Sequence, residues 1–251
     1  MTVLAHPTCA MAVMAKAPRA GQVKTRLTPP LSPAEATAIN AAFLHDISDN
    51  IRRAGSACQG FVAYAPTGEA HLFDGMLAPG TRLVLADGLG DMPEGLQGLG
   101  RCLLHAARSL FAQGHASVCL VNSDSPTLPN AILQHAAAVL ARPGERVVIG
   151  PAEDGGYYLI GMKAPHAALF ADIAWSTGSV TEQTIDRARA LGLEPEILPL
   201  WYDVDDAAAL RRLLKELAAP PHDQAFFPAP ATASCIERLG LRDRLAAWAA
   251  A

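Results

Sequence analysis

The sequence predicts an α/β protein with a mostly parallel central sheet flanked by helices. Short apolar segments alternate with longer helical stretches along the chain, which is typical of that class. The run at residues 9–15 is continuously apolar, as expected for a strand buried on both faces of a parallel sheet. A second such run covers residues 116–121. The predicted element order is β-α-β-β-α-β-α-β-β-α-β-α, followed by a short terminal helix.

The first helix has the clearest sequence signal. Ser32 is placed to cap it, Pro33 takes the first helical position and Glu35 the third, which is the capping-box pattern. We expect this helix to run to Arg53 and to stop at Gly55. The predicted strands cover residues 9–15, 60–65, 81–86, 116–121, 146–149, 157–162 and 196–200. The predicted helices cover residues 33–53, 103–113, 129–140, 180–191, 207–217 and 235–250.

These elements divide into one main domain and one C-terminal arm. A chain of 251 residues is long enough for a single α/β domain with a sizeable core, which we place at residues 8–218. Residues 219–233 are rich in Pro and Ala and are typical of a linker or an arm. With the terminal helix they form an arm over residues 219–251, expected to pack on the main domain or on a partner.

Composition excludes several classes of protein. The hydrophobic content of 51% is too high for a disordered chain, and the net charge of −4 gives no field toward nucleic acid or anionic membrane. No apolar run approaches the ~18–20 residues of a spanning helix, and the N-terminus shows no secretory leader. The five cysteines are scattered without a C-x-x-C pair. The expectation is a cytoplasmic globular protein with a small-molecule substrate.

A cationic loop follows the first strand, where a parallel sheet places its ligands. Four cations fall within residues 16–26, and Gly21 permits a backbone turn whose N–H groups can cradle an anion. Lys16, Lys24 and Arg26 are candidate phosphate ligands, and we expect the charges of Lys24 and Arg26 to be exposed to the cleft. The alternative is a solvated basic loop, since the segment matches neither a Walker loop nor a dinucleotide fingerprint.

Carboxylates follow two other predicted strands. Asp124 comes directly after the strand at residues 116–121, where a carboxylate can hold a divalent cation that bridges phosphate oxygens. It could equally close a local turn. Asp203 and Asp205 share one side of an extended segment, with Asp206 opposite, just before a predicted helix. We expect one of Asp205 and Asp206 to cap that helix and the other to bind metal.

The remaining candidates are substrate-binding residues. Asp154 could accept hydrogen bonds from sugar hydroxyls, and Gly155 and Gly156, followed by Tyr157, allow a ligand to approach the backbone closely. The alternative is an ordinary Asp-Gly turn. Trp175 could stack on a sugar ring or pack in the core.

Taken in order, five segments resemble a known family. They are A-K-A-P-x-x-G-x-V-K-T-R-L at 15–27, D-S-P-T-L-P at 124–129, G-P-A-E-D-G-G-Y-Y-L-I-G at 150–161, W-S-T at 175–177 and D-V-D-x-x-x-x-L at 203–210. Over about residues 10–215 the chain resembles the bacterial glycosyltransferase-A-like proteins often called arsenosugar-biosynthesis-type glycosyltransferases. These belong to the nucleotide-diphospho-sugar transferase superfamily. Residues 23–35 are also similar to 2-phospholactate guanylyltransferases, which are nucleotidyltransferases of the same fold.

The resemblance implies a single GT-A-type domain and a role for each charged candidate. Lys16, Lys24 and Arg26 would meet phosphates. Asp124 would hold the metal and Asp205 would be the second metal carboxylate, so that Asp124 and Lys24 are the candidate catalytic residues. One departure lies at residues 97–101, which read Q-G-L-G-R where the family carries Q-G-x-D-L-G-x-R.

The sequence therefore predicts a metal-dependent transferase that uses Mg²⁺ or Mn²⁺. The leading interpretation is a glycosyltransferase with a nucleotide-sugar donor and a small-molecule acceptor. The cationic loop favours a first alternative, a guanylyltransferase-like nucleotidyltransferase that joins a nucleoside monophosphate to a phosphorylated small molecule and releases pyrophosphate. A second alternative is a non-catalytic nucleotide-binding module. The apolar terminal helix is a candidate homodimer contact.

Overall fold

A single seven-stranded sheet forms the centre of the protein. The computed structural model describes residues 9–219 and 226–244. In chain order the strands are β1 (Cys9–Lys16), β2 (Cys58–Ala65), β3 (Arg82–Leu85), β4 (Ser117–Val121), β5 (Arg146–Pro151), β6 (Tyr157–Met162) and β7 (Glu194–Ile197).

The strand order is β3-β2-β1-β4-β6-β5-β7. Strand β6 runs antiparallel to both of its neighbours, β4 and β5. All other neighbouring strands are parallel. The mostly parallel sheet predicted from the sequence is confirmed, and it brings the carboxyl ends of β1, β2 and β4 to one edge.

Helices cover both faces of the sheet. Because successive residues of a strand point to opposite sides, Met11 and Val13 of β1 pack into one apolar cluster while Ala10 and Ala12 pack into the other. The helices are α1 (Pro33–Arg53), α2 (Gly98–Ala112), α3 (Asn130–Leu140), α4 (Val180–Ala190), α5 (Ala207–Ala218) and α6 (Pro230–Arg238). Helices α1, α3, α5 and α6 pack on the first face, and α2 and α4 on the second. Within the described parts of the chain, no helix is long and apolar enough to cross a bilayer.

The predicted start of α1 is confirmed in detail. The Ser32 hydroxyl accepts a hydrogen bond from the Glu35 N–H, and the Glu35 carboxylate accepts one from the Ser32 N–H at 2.8 Å. This reciprocal pair satisfies two of the backbone donors that a helix start leaves unpaired. The helix then runs to Arg53, as its sequence predicts.

Helix α2 starts five residues earlier than predicted, at Gly98. Two glycines in its first turn disfavour a helix on local propensity. The packing explains the difference: at Gly100 an added Cβ would lie 2.8 Å from the Phe170 carbonyl oxygen and 3.1 Å from the Trp175 ring. The helix can therefore approach this part of the chain only because position 100 has no Cβ.

Two further element bounds were predicted wrongly. The last strand is β7 at Glu194–Ile197 and not 196–200, because its parallel pairing with β5 ends at Ile197. The last helix starts at Pro230 and not at residue 235. Its start depends on a residue remote in sequence, since the Asp46 carboxylate accepts hydrogen bonds from the backbone N–H groups of Ala231 and Thr232.

The described part of the C-terminal arm packs on the main domain. Helix α6 lies against α1, and the Phe227 N–H bonds the Thr127 carbonyl at 3.0 Å. Arg244 forms an ion pair with Glu35 at 2.5 Å. Parts of the predicted linker and of the predicted terminal helix, residues 220–225 and 245–250, lie outside the described residues.

Candidate functional site

A cavity of about 340 Å³ opens at the carboxyl ends of β1, β2 and β4. Its lining is of two kinds. The charged residues that line it are Lys16, Lys24, Arg26, Asp124 and Asp205. Small and apolar side chains also line it, those of Ala15, Ala63, Ala65, Ala86, Leu99 and Cys102.

Lys24 is the central residue of the charged cluster. Its Nζ lies 2.6 Å from Asp124 Oδ1 and 3.0 Å from Asp205 Oδ1, and it donates a hydrogen bond to the Val204 carbonyl at 2.8 Å. The expectation that this charge is exposed is wrong, because only 4% of the Lys24 side chain is accessible. An ammonium group can be buried this deeply only when oxygen atoms replace its water.

The rest of the cationic loop is accessible, as expected. The Arg26 side chain is 74% exposed, with one guanidinium nitrogen 3.8 Å from Asp205. Lys16 is exposed at the end of β1. Gly21 has a φ of +77°, so the turn predicted there does use the left-handed region.

Two contacts bring the carboxylates of Asp124 and Asp205 together. The Ser125 hydroxyl donates to the Tyr202 carbonyl at 2.9 Å, and the Val204 N–H donates to the Asp124 carbonyl at 2.8 Å. The loop after β4 is thereby joined to the segment that precedes α5. Since one nitrogen atom touches both carboxylates, the two side chains converge on one point.

Hydrogen bonds decide which aspartate caps a helix or a turn and which is left to bind metal. Asp206 caps α5, because its Oδ1 accepts from the N–H groups of Ala208 and Ala209, both at 2.8 Å. Asp205 is left to face Asp124. The turn after β4 is closed by the Asn122 side chain, which accepts from the Asp124 N–H at 3.4 Å. Within the turn the Asp124 carboxylate accepts a hydrogen bond from the Ser123 hydroxyl at 2.8 Å, so the backbone N–H that closes the turn is bonded by Asn122 and not by Asp124.

Charge and burial set the protonation of this cluster. Burial alone would lower the pKa of Lys24, but the carboxylates of Asp124 and Asp205 outweigh it and raise that pKa, so the ammonium stays charged. Burial raises the pKa of Asp203 to about 6, and the neighbouring charges of Asp154 and Asp205 act in the same direction.

The donor set suits a hard divalent cation. Two carboxylate oxygens and the Val204 carbonyl meet at one point, and oxygen ligands of this kind are those that Mg²⁺ and Mn²⁺ prefer. That point is held by the Lys24 ammonium. No three His, Cys, Asp or Glu side chains of the described residues form a ready metal site. A cation here would have two protein carboxylates, with further ligands from phosphate and water, once Lys24 has moved.

A second cavity of about 490 Å³ adjoins the first, and Arg26 and Asp205 line both. It is strongly acidic, with five carboxylates against two guanidinium groups. Arg212 is already paired with Glu153 at 2.8 Å and stacks over the Tyr202 ring at 3.8 Å. The other residues that line this cavity are Asp154, Asp203, Asp206, Ala208 and Ala209.

The predicted substrate-binding residues fall into two places. Asp154 lines the second cavity, and its Oδ1 accepts from the Gly156 N–H at 2.8 Å, as in the turn interpretation. Gly155 has a φ of +87° and packs directly on Gly178. Tyr157 pairs edge-to-face with Trp175, at 6.3 Å between ring centroids.

Tyr157 and Trp175 pack in the apolar cluster beside α2, and neither lines the two cavities. Burial raises the pKa of Tyr157. The core-packing alternative for Trp175 fits this location. A sugar contact of these two rings stays a prediction.

Sequence reasoning missed three contributors to the site. Val204 acts through its carbonyl, and a main-chain atom leaves no mark in the residue pattern. Asn40, buried on α1, lines the first cavity, and a polar residue among the buried positions of a helix is the signal that could have identified it. Arg212 lies four residues before Glu216 on α5, and this spacing alone predicts an exposed ion pair.

The fold is that of the nucleotide-diphospho-sugar transferases, with cations and paired carboxylates at the carboxyl edge of the sheet. The chain belongs to the bacterial family described as "Uncharacterized protein conserved in bacteria (DUF2064)", whose model matches residues 51–177. No curated protein matches the chain significantly.

Solved structures support the assignment of the fold. The chain is 27% identical to a Desulfovibrio desulfuricans G20 protein that carries the provisional name nucleotide-diphospho-sugar transferase, over 94% of this chain and 96% of that one, with a TM-score of 0.78. CMP:2-keto-3-deoxy-manno-octonic acid synthetase, solved with CTP, shares the fold at 9% identity. That match covers 84% of this chain and 98% of the synthetase, with a TM-score of 0.53.

Proposed function

We propose that the protein is a metal-dependent glycosyltransferase of the arsenosugar-biosynthesis type, which uses a nucleotide-sugar donor and a small-molecule acceptor. The observation that carries this proposal is the pair of adjoining cavities that meet at Arg26 and Asp205. A transferase needs two substrates side by side with the transferred group between them. Asp205 lies where the cavities meet, and Asp124 lines the first cavity beside it.

The first cavity suits a nucleotide. Lys16, Lys24 and Arg26 supply positive charge for phosphates, and bidentate arginine is well matched to a phosphate. The small side chains that also line the cavity leave room for a flat base or a ribose. The cations and the apolar lining together match the charged and apolar parts of one nucleotide.

The metal site is assigned to Asp124 and Asp205. A bound Mg²⁺ or Mn²⁺ would supply positive charge to the departing diphosphate. The chain's own carboxylates hold the cation, and the exposed guanidinium of Arg26, 3.8 Å from Asp205, can bind the phosphate that carries the new charge.

The acidic second cavity indicates the class of acceptor. Its carboxylates disfavour a phosphorylated molecule through like-charge repulsion and favour hydroxyl groups or a cation as partners. This charge favours glycosyl transfer to a polyhydroxylated or cationic acceptor. Nucleotidyl transfer to a phosphorylated acceptor remains the second candidate, since the cations of the first cavity suit a triphosphate as well.

Product analysis tests the proposal. With Mn²⁺ present, the protein is expected to release a nucleoside diphosphate from a sugar donor and to leave nucleoside triphosphates intact. Asp205→Asn should abolish this release, whereas Asp186→Asn, an exposed carboxylate on α4 outside both cavities, should not. Pyrophosphate release that depends on a phosphorylated acceptor would establish nucleotidyl transfer instead. Nucleotide binding without release of any product would establish a binding module.

A further inference from the structure

The Lys24 ammonium is surrounded in the way a small metal ion would be. Three oxygens contact it within 3.0 Å, from Asp124, Asp205 and the Val204 carbonyl. The Phe43 ring lies 5.3 Å away on another side. These oxygens are the donor set assigned above to the divalent cation. The Lys24 ammonium and a divalent cation would therefore compete for the same site.

The charges at this site do not allow the Lys24 ammonium and a divalent ion to bind together unless a further anion is present. Asp124 and Asp205 carry two negative charges between them, which one ammonium neutralises in part and one divalent ion neutralises in full. With both cations present the cluster would carry excess positive charge beside a lysine that is only 4% accessible, which is costly. A phosphate bound in the first cavity would offset that excess.

The loop that bears Lys24 is built so that this side chain reaches inward. Lys24 has a φ of +49° and a ψ of +39°, a left-handed conformation that is uncommon for a residue with a Cβ. The following residues make a single 3₁₀ turn, Thr25–Leu27, which is anchored by the fully buried Leu27. The backbone beside Lys24 is thus fixed, while its flexible side chain lines the cavity that receives the phosphates.

We propose that Lys24 is an exchangeable internal cation: it competes with divalent metal for the Asp124–Asp205 oxygen site, and a nucleotide phosphate favours the metal by drawing the ammonium into the first cavity. This inference rests on the proposed function only in taking the two carboxylates as the metal site. Its consequence is that metal binds weakly to the protein alone and tightly together with the nucleotide. Neither carboxylate is then left without a positive partner at any stage.

Mn²⁺ binding in the absence of any nucleotide tests this directly. Lys24→Met keeps the length of the side chain and removes the charge, so Mn²⁺ affinity measured by calorimetry should rise. If the ammonium holds the site nine-tenths of the time, the rise is about tenfold. Adding Asp205→Asn to Lys24→Met should remove the gain. An Mn²⁺ affinity of Lys24→Met equal to that of the unsubstituted protein would overturn the proposal.

A measurement on the unsubstituted protein guards against a variant that fails to fold. Lys24 should resist an amine-acylating reagent, become reactive when Mn²⁺ is added at saturating concentration, and be protected again when a nucleoside diphosphate is added as well. Lys215, exposed on α5, is the internal control and should react equally in all three states. Constant protection of Lys24 with and without Mn²⁺ would contradict the exchange. A protein that shows the exchange yet releases no product would disprove only the glycosyltransferase assignment.

Discussion

The hydroxyl of Ser125 donates a hydrogen bond to the carbonyl of Tyr202 at 2.9 Å, and this contact joins the two loops that carry Asp124 and Asp205, the carboxylates proposed to hold the metal. Ser125 is buried and follows Asp124 directly, while Tyr202 lies three residues before Asp205. The separation between the carboxylates thus depends on a residue that takes no part in the chemistry.

Ser125→Ala is expected to weaken metal-dependent nucleotide binding without unfolding the protein. The substitution removes two hydrogen bonds, the one to the Tyr202 carbonyl and one that the hydroxyl accepts from the Asn122 amide at 3.2 Å, and the orphaned carbonyl costs about 1–3 kcal/mol of folding stability. Of the contacts described above between the two loops, only the Val204–Asp124 backbone contact then remains, so Asp205 can drift from Asp124 and nucleotide affinity measured with Mn²⁺ should fall more than affinity measured without metal. Thr37→Ala, which removes a hydroxyl on the exposed side of α1, is the matched control. Equal losses with and without Mn²⁺ would argue against a positioning role.

The three aspartates around α5 and β4 should respond differently to the loss of charge. Asp124→Asn and Asp205→Asn are each expected to abolish the effect of Mn²⁺ on nucleotide binding, because an amide is a poor replacement for a carboxylate ligand. Asp206→Asn should leave binding intact, since asparagine caps a helix nearly as well as aspartate. Calorimetric titration of a nucleoside diphosphate with and without Mn²⁺ distinguishes them. A loss of the Mn²⁺ effect in Asp206→Asn as well would place the metal elsewhere.

Much of this arrangement follows from the sequence. The continuous apolar runs predict buried parallel strands, and parallel strands bring their carboxyl ends to one edge. The prediction that Asp124 and Asp205 converge is confirmed, but only Asp124 follows its strand closely. Asp205 lies well beyond the end of β7, which is not a neighbour of β4, and the backbone contact between Val204 and Asp124 brings it there. The start of α1 is equally local, because Ser32 and Glu35 cap it within one turn.

The rest depends on contacts between distant segments, which local patterns do not encode. In the sequence Lys24 does not differ from the other cations of its loop, because its burial depends on contacts with Asp124 and Asp205 that form only in the folded protein. The second cavity is formed by a loop after β5 and the first turns of α5. Its acidic character could not be predicted from the sequence, because these segments are far apart along the chain. The start of α6 needs the Asp46 carboxylate of α1 to satisfy its N–H groups.

The contact between the C-terminal arm and α1 predicts a pH dependence. A hydrogen bond from Arg244 and one from the Ser32 N–H lower the pKa of Glu35 from its ordinary 4.5 to about 2. The ionised form is therefore favoured in the folded protein, and its contribution is complete above about pH 4.5 and is lost as the pH falls toward 2. Since Arg244 is half exposed, we expect a contribution on the order of 1 kcal/mol.

Urea unfolding of Glu35→Gln beside the unsubstituted protein measures this contribution. The difference in the free energy of unfolding should be constant between pH 7 and pH 5 and should shrink at lower pH. Arg244→Gln should reproduce part of the loss. A difference that stays the same down to pH 3 would mean that Glu35 acts through its shape and not through its charge.

Two glycines in the loops at the carboxyl edge of the sheet differ in what surrounds them, and this difference predicts unequal effects of alanine. A Cβ at Gly155 would lie 2.1 Å from the Gly178 carbonyl oxygen, at a φ of +87°. A Cβ at Gly21 would meet nothing within 4 Å, at a φ of +77°. Both substitutions put a side chain into the left-handed region, which costs about 1 kcal/mol, but Gly155→Ala must also push two backbone segments apart. Gly155→Ala should therefore lower the free energy of unfolding by several kcal/mol, on the order of 3, and Gly21→Ala by about 1.

Thermal and urea unfolding of both variants check the expectation for stability, and nucleotide binding adds a second readout. Because Gly155 holds the Asp154 loop against the segment that contains Gly178, its substitution should also displace Asp154 from the wall of the second cavity. The first cavity has no wall in common with that loop, so nucleotide affinity should be retained in whatever fraction of Gly155→Ala is folded. Equal destabilisation by the two alanines would show that the conformation at φ above zero, and not the close approach to Gly178, determines the cost.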